Sequence, residues 1–139
     1  MKKLSVGVVG YCPPTKFDEV EARRMIVEAY DKLRSQFHEY EIAIVSGLTN
    51  VGVLKIAYEE AHKRGWRTVG IACELAAEHE LFPVDEKIIV GKNWGEESDT
   101  FVASIEAIIK VGGGKQSKRE TEMVKRKGLP AFEYDLPTL

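Results

Sequence analysis

The chain alternates between two kinds of apolar pattern. Leu4-Ser5-Val6-Gly7-Val8-Val9-Gly10 is almost continuously apolar and rich in β-favouring residues. That is the signature of a strand covered on both faces, as in a parallel sheet. Beyond the breaker Pro13-Pro14 the period changes. Ile26, Tyr30, Leu33 and Phe37 recur at helical spacing, which predicts a helix from Asp18 to about Phe37 with one apolar face. Asp18 and Glu21 stand where a capping box would put its N-cap and N3 members. The cycle then repeats. Glu41 to Val45 reads as a second strand, and Leu54, Ala57, Tyr58 and Ala61 mark a second helix that Lys63-Arg64-Gly65 ends. Arg67 to Ala72 is a third strand.

The second half is less regular. Cys73 to Val84 has room for one short helix and carries the exposed-type residues Glu74, Glu78 and Glu80. Lys87 to Val90 reads as a fourth strand, Thr100 to Glu106 as a helix with Phe101, Val102 and Ile105 inward, and Ala107 to Val111 as a fifth strand. A last helix runs to about Lys127, where Gly128-Leu129-Pro130 stops it, and Ala131 to Tyr134 is a candidate edge strand. Strands alternating with helices imply βαβ units with right-handed crossovers. The expected architecture is an α/β doubly wound three-layer sandwich with a mainly parallel sheet ordered 3-2-1-4-5 plus the edge strand. The whole chain, residues 1–139, is expected to form it as a single domain.

Between these elements lie three polar or glycine-bearing turns, each at the carboxyl end of a strand: Gly10-Tyr11-Cys12, Ser46-Gly47-Leu48-Thr49-Asn50-Val51-Gly52, and Gly112-Gly113-Gly114-Lys115-Gln116-Ser117. In an open α/β sheet a ligand crevice forms at that edge, where the strand order reverses. Glycines let the backbone approach an anion, and the unpaired first N–H groups of a helix attract it. The candidate phosphate-binding residues are therefore Gly10, Tyr11, Ser46, Gly47, Thr49, Asn50, Gly52, Gly113, Gly114, Lys115, Gln116 and Ser117. The dinucleotide fingerprint G-x-G-x-x-G is missing after the first strand, where Pro13 and Pro14 stand, and Gly114-Lys115 is followed by Gln116 rather than Ser or Thr. Conventional NAD binding and P-loop hydrolysis are disfavoured.

Composition narrows the function without naming it. With 139 residues, 44% of them apolar, the chain has enough for a core. A formal net charge of −2 argues against a general nucleic-acid binder, and no apolar run is long enough to span a bilayer. Met1-Lys2-Lys3 leads straight into the first strand, so no signal peptide is read and a cytoplasmic location is the default. From Lys110 to Gly128 there are seven basic and two acidic residues; from Glu74 to Asp99 there are two basic and eight acidic. The basic end surrounds the third turn, which suits an anionic guest or simply a solvated helix face. Cys12 and Cys73 match no zinc or redox spacing and suit small buried positions, and His38, His62 and His79 lie too far apart for a metal set. Neither a metal nor a resident cofactor is expected. Trp94, beside Gly95, either packs under its loop or stacks on a base.

Gly113-Gly114-Lys115-Gln116-Ser117-Lys118-Arg119-Glu120 resembles the G-G-x-G-T-x-x-E motif of the "Lonely Guy" (LOG) phosphoribohydrolases, formerly misnamed lysine decarboxylases. Ser46 to Gly52 is similar to the earlier glycine loop of that family and to the S-G-x-x-x-G turn of the related DNA-processing proteins. The resemblance implies a Rossmann-like nucleotide-binding domain and a homodimer or larger oligomer. It also implies cleavage of the N-glycosidic bond of a nucleoside monophosphate, with Gly113, Gly114 and Ser117 on the phosphate and Glu120 as catalytic carboxylate. The chain departs from the motif at Gln116, which stands for a glycine, at Ser117, which stands for threonine, and at Gly112, where proline is usual. The arginine that the family takes from an M-H-x-R-K segment has no counterpart between Asn93 and Thr100. Glu120 also has a structural reading: Ser117-Lys118-Arg119-Glu120 fits a capping box, with Glu120 turned back to the Ser117 amide. The leading expectation is binding of a nucleotide or related phosphorylated small molecule. Hydrolysis or transfer at an N-glycosidic bond and a non-catalytic assembly module are the alternatives.

Overall fold

The computed structural model describes residues 2–139. Met1, which the sequence reading places ahead of the first strand, lies outside them. Strand β1 (Lys2–Gly10) is followed by α1 (Glu19–Gln36), β2 (Tyr40–Ser46), α2 (Gly52–Lys63) and β3 (Arg67–Ala72). A 3-10 turn over Glu74–Glu78 leads to β4 (Glu86–Ile89), then α3 (Ser98–Ala103), β5 (Ala107–Val111), α4 (Lys115–Arg126) and β6 (Ala131–Tyr134). All six strands join one parallel sheet in the order β4-β3-β2-β1-β5-β6.

The fold class is the expected doubly wound α/β arrangement, but the strand order is not. β4 pairs with β3 at the far edge, and β5, not β4, lies beside β1. Burial explains the exchange. In β4, Glu86, Lys87 and Ile89 are exposed, which only an edge position tolerates, whereas β5 is buried at four of its five positions. The direction of winding therefore reverses between β1 and β5, and the crevice opens there.

The helices divide between the two faces. Ala22, Met25, Ile26, Ala29, Tyr30 and Leu33 of α1, with Val53, Ile56, Ala57 and Ala61 of α2, cover Leu4, Val6, Val8, Ile42, Ile44 and Ile109. The Tyr30 hydroxyl donates to the Ala57 carbonyl at 2.8 Å and fixes the pair of helices to each other. On the opposite face Phe101, Val102 and Ile105 from the α3 region and Val124 of α4 cover Val9, Val45, Ile71 and Ile108. Asp18 caps α1 as its sequence position suggests, accepting from the N–H groups of Val20 at 3.0 Å and Glu21 at 3.1 Å. The second half of that capping box is not made, because the Glu21 carboxylate accepts from Arg24 instead. Helix α3 starts two residues earlier than its periodicity suggests and ends at Ala103. No described helix is long and apolar enough to cross a membrane.

Candidate functional site

A cavity of about 360 Å³ opens at the carboxyl ends of β1 and β2, bounded on one side by the start of α4. Its size falls in the range of small-molecule sites. The floor comes from the strand ends, Val8 to Gly10 and Ser46, and one wall from Gly114 to Ser117.

The turn between β5 and α4 has the backbone an anion site requires. Gly112 and Gly113 hold φ at +62° and +108°, in the region L side chains rarely adopt, and Gly114 is the N-cap of α4. No side chain caps this helix. Its first backbone bond from within is Lys118 N–H to the Gly114 carbonyl at 3.1 Å, so the N–H groups of Lys115, Gln116 and Ser117 are left for an incoming acceptor. The box expected between Ser117 and Glu120 does not form. The helix begins at Lys115, which puts Ser117 inside the first turn rather than at its cap.

Glu120 instead turns into the cavity wall and is 5% exposed. Its Oε2 accepts from the Ser98 hydroxyl at 2.8 Å and from the Gln116 amide at 3.3 Å. Ser98 in turn accepts from the Arg119 guanidinium at 2.9 Å. Burial pushes the Glu120 carboxyl above its usual range, the bonds from Ser98 and Gln116 oppose that rise, and the nearby Glu97 charge adds to it. Glu97 is itself buried, lines the cavity, and accepts from the Gly95 N–H at 2.7 Å.

The other turns contribute unequally. Gly10, Tyr11, Ser46, Gly47 and Thr49 line the cavity. The Ser46 hydroxyl is already engaged, donating to the Val8 carbonyl at 2.6 Å. Gly52 opens α2 with φ +68° against the Tyr11 backbone, and the Val53 N–H donates to the Tyr11 carbonyl at 2.9 Å. The start of α2 is thus partly closed by the chain itself, and the uncapped helix start at the cavity is that of α4. Asn50 lies outside the lining, with its amide donating to Glu80 at 2.5 Å and its carbonyl oxygen buried without a partner. Gly113 lies behind the wall, against Ser117.

Residues absent from the expected set also line the cavity: Cys12, Thr15, Leu48, Glu97, Phe101 and Trp94. Burial raises the Cys12 thiol pKa, which keeps it protonated and a poor nucleophile. Trp94 is 51% exposed with its ring 5.9 Å from that of His79, so it is not packed under its loop. Among the described residues no three His, Cys, Asp or Glu side chains are grouped to hold a metal ion.

No protein-family model matches the chain. No curated protein sequence matches it. Solved structures do. The molybdenum cofactor carrier protein of Chlamydomonas reinhardtii superposes with a TM-score of 0.73 at 20% identity, covering 95% of this chain and 76% of that one. The molybdenum cofactor binding protein of the phototrophic bacterium Rippkaea orientalis gives 0.72 at 20% identity, covering 96% and 77%. The protein TM1055 gives 0.70 at 22% identity, covering 94% and 72%. At these identities the likeness is one of fold, and the chain shares the Rossmann-like α/β fold of these proteins.

Proposed function

We propose that the chain binds a phosphorylated small molecule, a nucleotide foremost, in the cavity between β1 and α4. The observation that carries this reading is the uncapped start of α4, whose free N–H groups adjoin a cavity large enough for a mononucleotide. The phosphate would lie on the amides of Lys115, Gln116 and Ser117. Lys115 is exposed beside them and supplies a cation. The fold likeness to proteins described as carrying or binding a molybdenum cofactor supports a binding or carrier role.

Thermal-shift screening of mononucleotides and ribose 5-phosphate tests this reading. A ligand present at a hundredfold excess over its Kd adds roughly 2.7 kcal/mol of stability, a rise of several degrees in Tm for a domain of this size. No shift with any of them at millimolar concentration sinks the proposal.

One observation favours a second reading, hydrolysis of an N-glycosidic bond. Glu120 is a buried carboxyl on the cavity wall with a pKa raised by burial, which suits proton transfer to a leaving base. Release of free base from a nucleoside monophosphate, lost in Glu120→Gln at unchanged ligand affinity, would establish it. Binding without turnover would exclude it in favour of a carrier.

A further inference from the structure

The cavity has two ends of different chemistry. At one end stand the amides that open α4, the helix that follows β5. The other end is lined by Leu48, Ile71, Ala72 and Phe101, all apolar and all buried. Ile71 and Ala72 close β3, and β3 lies three strand spacings from β5 in the sheet order. Neighbouring strands are about 4.8 Å apart, so the two ends are separated by roughly 14 Å. A sugar phosphate seated on α4 is too short to fill both.

Backbone acceptors at the β3 end are already in use. The Gly47 carbonyl accepts from the Tyr58 hydroxyl at 2.7 Å, the Leu48 carbonyl from the Phe82 N–H at 2.8 Å, and the Ala72 carbonyl from the Val90 N–H at 2.9 Å. What this end chiefly offers a guest is apolar surface and the ring of Trp94, which lines the same cavity. That ring is held out by a loop with a fixed backbone. Gly91 and Gly95 bracket the loop with φ at +80° and +95°. The Gly91 carbonyl accepts from the Glu74 N–H at 2.9 Å, and the Glu96 carboxylate accepts from the Lys92 N–H at 2.9 Å and the Asn93 amide at 3.0 Å. Glu97 accepts from the Gly95 N–H at 2.7 Å. A side chain presented on an ordered loop loses little freedom on binding. An indole face gains most from a flat π system, whereas a saturated chain gains only apolar burial.

We propose that the β3 end of the cavity and Trp94 form a ring subsite, so that the ligand is a phosphate ester carrying a flat aromatic ring, held by its face with little selection among bases. This rests on the reading that the α4 end takes the phosphate.

Titration calorimetry of the whole chain at pH 7 with AMP, GMP, adenosine, ribose 5-phosphate and n-octyl phosphate tests it. AMP and GMP should bind within about threefold of each other, and each at least about tenfold tighter than ribose 5-phosphate or octyl phosphate. Trp94→Phe keeps a flat face and should hold AMP within about threefold of the wild type. Trp94→Leu keeps apolar bulk without that face and should weaken AMP about fivefold or more. An unchanged Tm shows that both variants are folded. Ribose 5-phosphate binding as tightly as AMP overturns the ring subsite and leaves the phosphate reading standing. Octyl phosphate binding as tightly as AMP, or Trp94→Leu behaving like Trp94→Phe, overturns the aromatic assignment. A tenfold preference between AMP and GMP overturns recognition by the face. Adenosine binding as tightly as AMP overturns the phosphate reading and keeps the ring subsite, and binding of none of the five removes both.

Discussion

The Ser98 hydroxyl donates a 2.8 Å hydrogen bond to the Glu120 carboxylate, linking the first residue of α3 to the second turn of α4 across the cavity wall. This bond favours the charged form of Glu120, and burial opposes that form more strongly, so the folded carboxyl titrates above its ordinary value. A carboxyl raised on folding contributes stability below its unfolded pKa and loses it as pH rises through the folded one. Glu120→Gln removes that penalty. Urea denaturation between pH 4 and pH 8 should therefore show the variant gaining on the wild type as pH rises, with the two within about 1 kcal/mol at the acid end. Ser98→Ala should cost about 1 kcal/mol and push the carboxyl further up, steepening the same dependence. A pH-independent difference between wild type and Glu120→Gln would show that the carboxyl is not perturbed.

The β5–α4 turn separates two neighbouring glycines by their backbone. Gly113 holds φ at +108°, and a Cβ there would lie 2.6 Å from the Ser117 Cβ. Gly114 has φ −92°, and a Cβ there meets nothing within 4 Å. Gly113→Ala should destabilise by roughly 2–3 kcal/mol, from strain plus the displacement of Ser117. Gly114→Ala should cost about 1 kcal/mol at most, as an ordinary change at an N-cap. Chemical denaturation of the two variants checks the contrast, and equal losses would contradict the geometry of the turn.

Much of this fold is legible in residue pattern because burial on both faces leaves little room for polar residues. Leu4 to Gly10 reads as a strand covered on both faces, and the structure buries most of it. The position of β4 was harder to read. A four-residue strand with Glu86 and Lys87 exposed has a weak apolar signal, and its edge place is visible only once β5 is seen to occupy the slot beside β1. The start of α4 went astray for a local reason. Ser117 and Glu120 have capping-box spacing, but the positive φ of Gly112 and Gly113 completes the turn sooner and makes Gly114 the cap. Glu97 carried no signal at all. Within Gly95-Glu96-Glu97-Ser98 it looks like a solvated loop residue, yet the fold buries it.

Glu60 is the electrostatic tie between the first two helices. It is 4% exposed and accepts from Arg23 at 2.7 Å, Lys63 at 2.9 Å and Arg64 at 3.0 Å. Burial pushes its carboxyl upward, but the bonds from Lys63, Arg23 and Arg64 together outweigh that and bring the pKa down to about 2. A depressed carboxyl contributes stability above its unfolded pKa and loses it as pH falls through the folded value. Glu60→Gln should cost about 2 kcal/mol at pH 7, and the cost should shrink as pH falls from the ordinary carboxylate range toward 2. Lys63→Ala removes only an exposed partner and should cost under about 0.5 kcal/mol. Guanidinium titrations at several pH values would measure both.

Trp94 offers a test that separates base from phosphate. Its ring is half exposed, so Trp94→Ala should change stability by less than about 0.5 kcal/mol. If the ring covers a bound heterocycle, its removal costs the stacking energy, about 1 kcal/mol or somewhat more per base, a loss of roughly fivefold or greater in affinity. Ribose 5-phosphate has no ring to stack and should bind the variant as it binds the wild type. Calorimetric titration with a nucleoside monophosphate and with ribose 5-phosphate reads the difference directly. An equal loss for both ligands would mean that Trp94 shapes the cavity as a whole, and no loss for either would place the base away from the tryptophan.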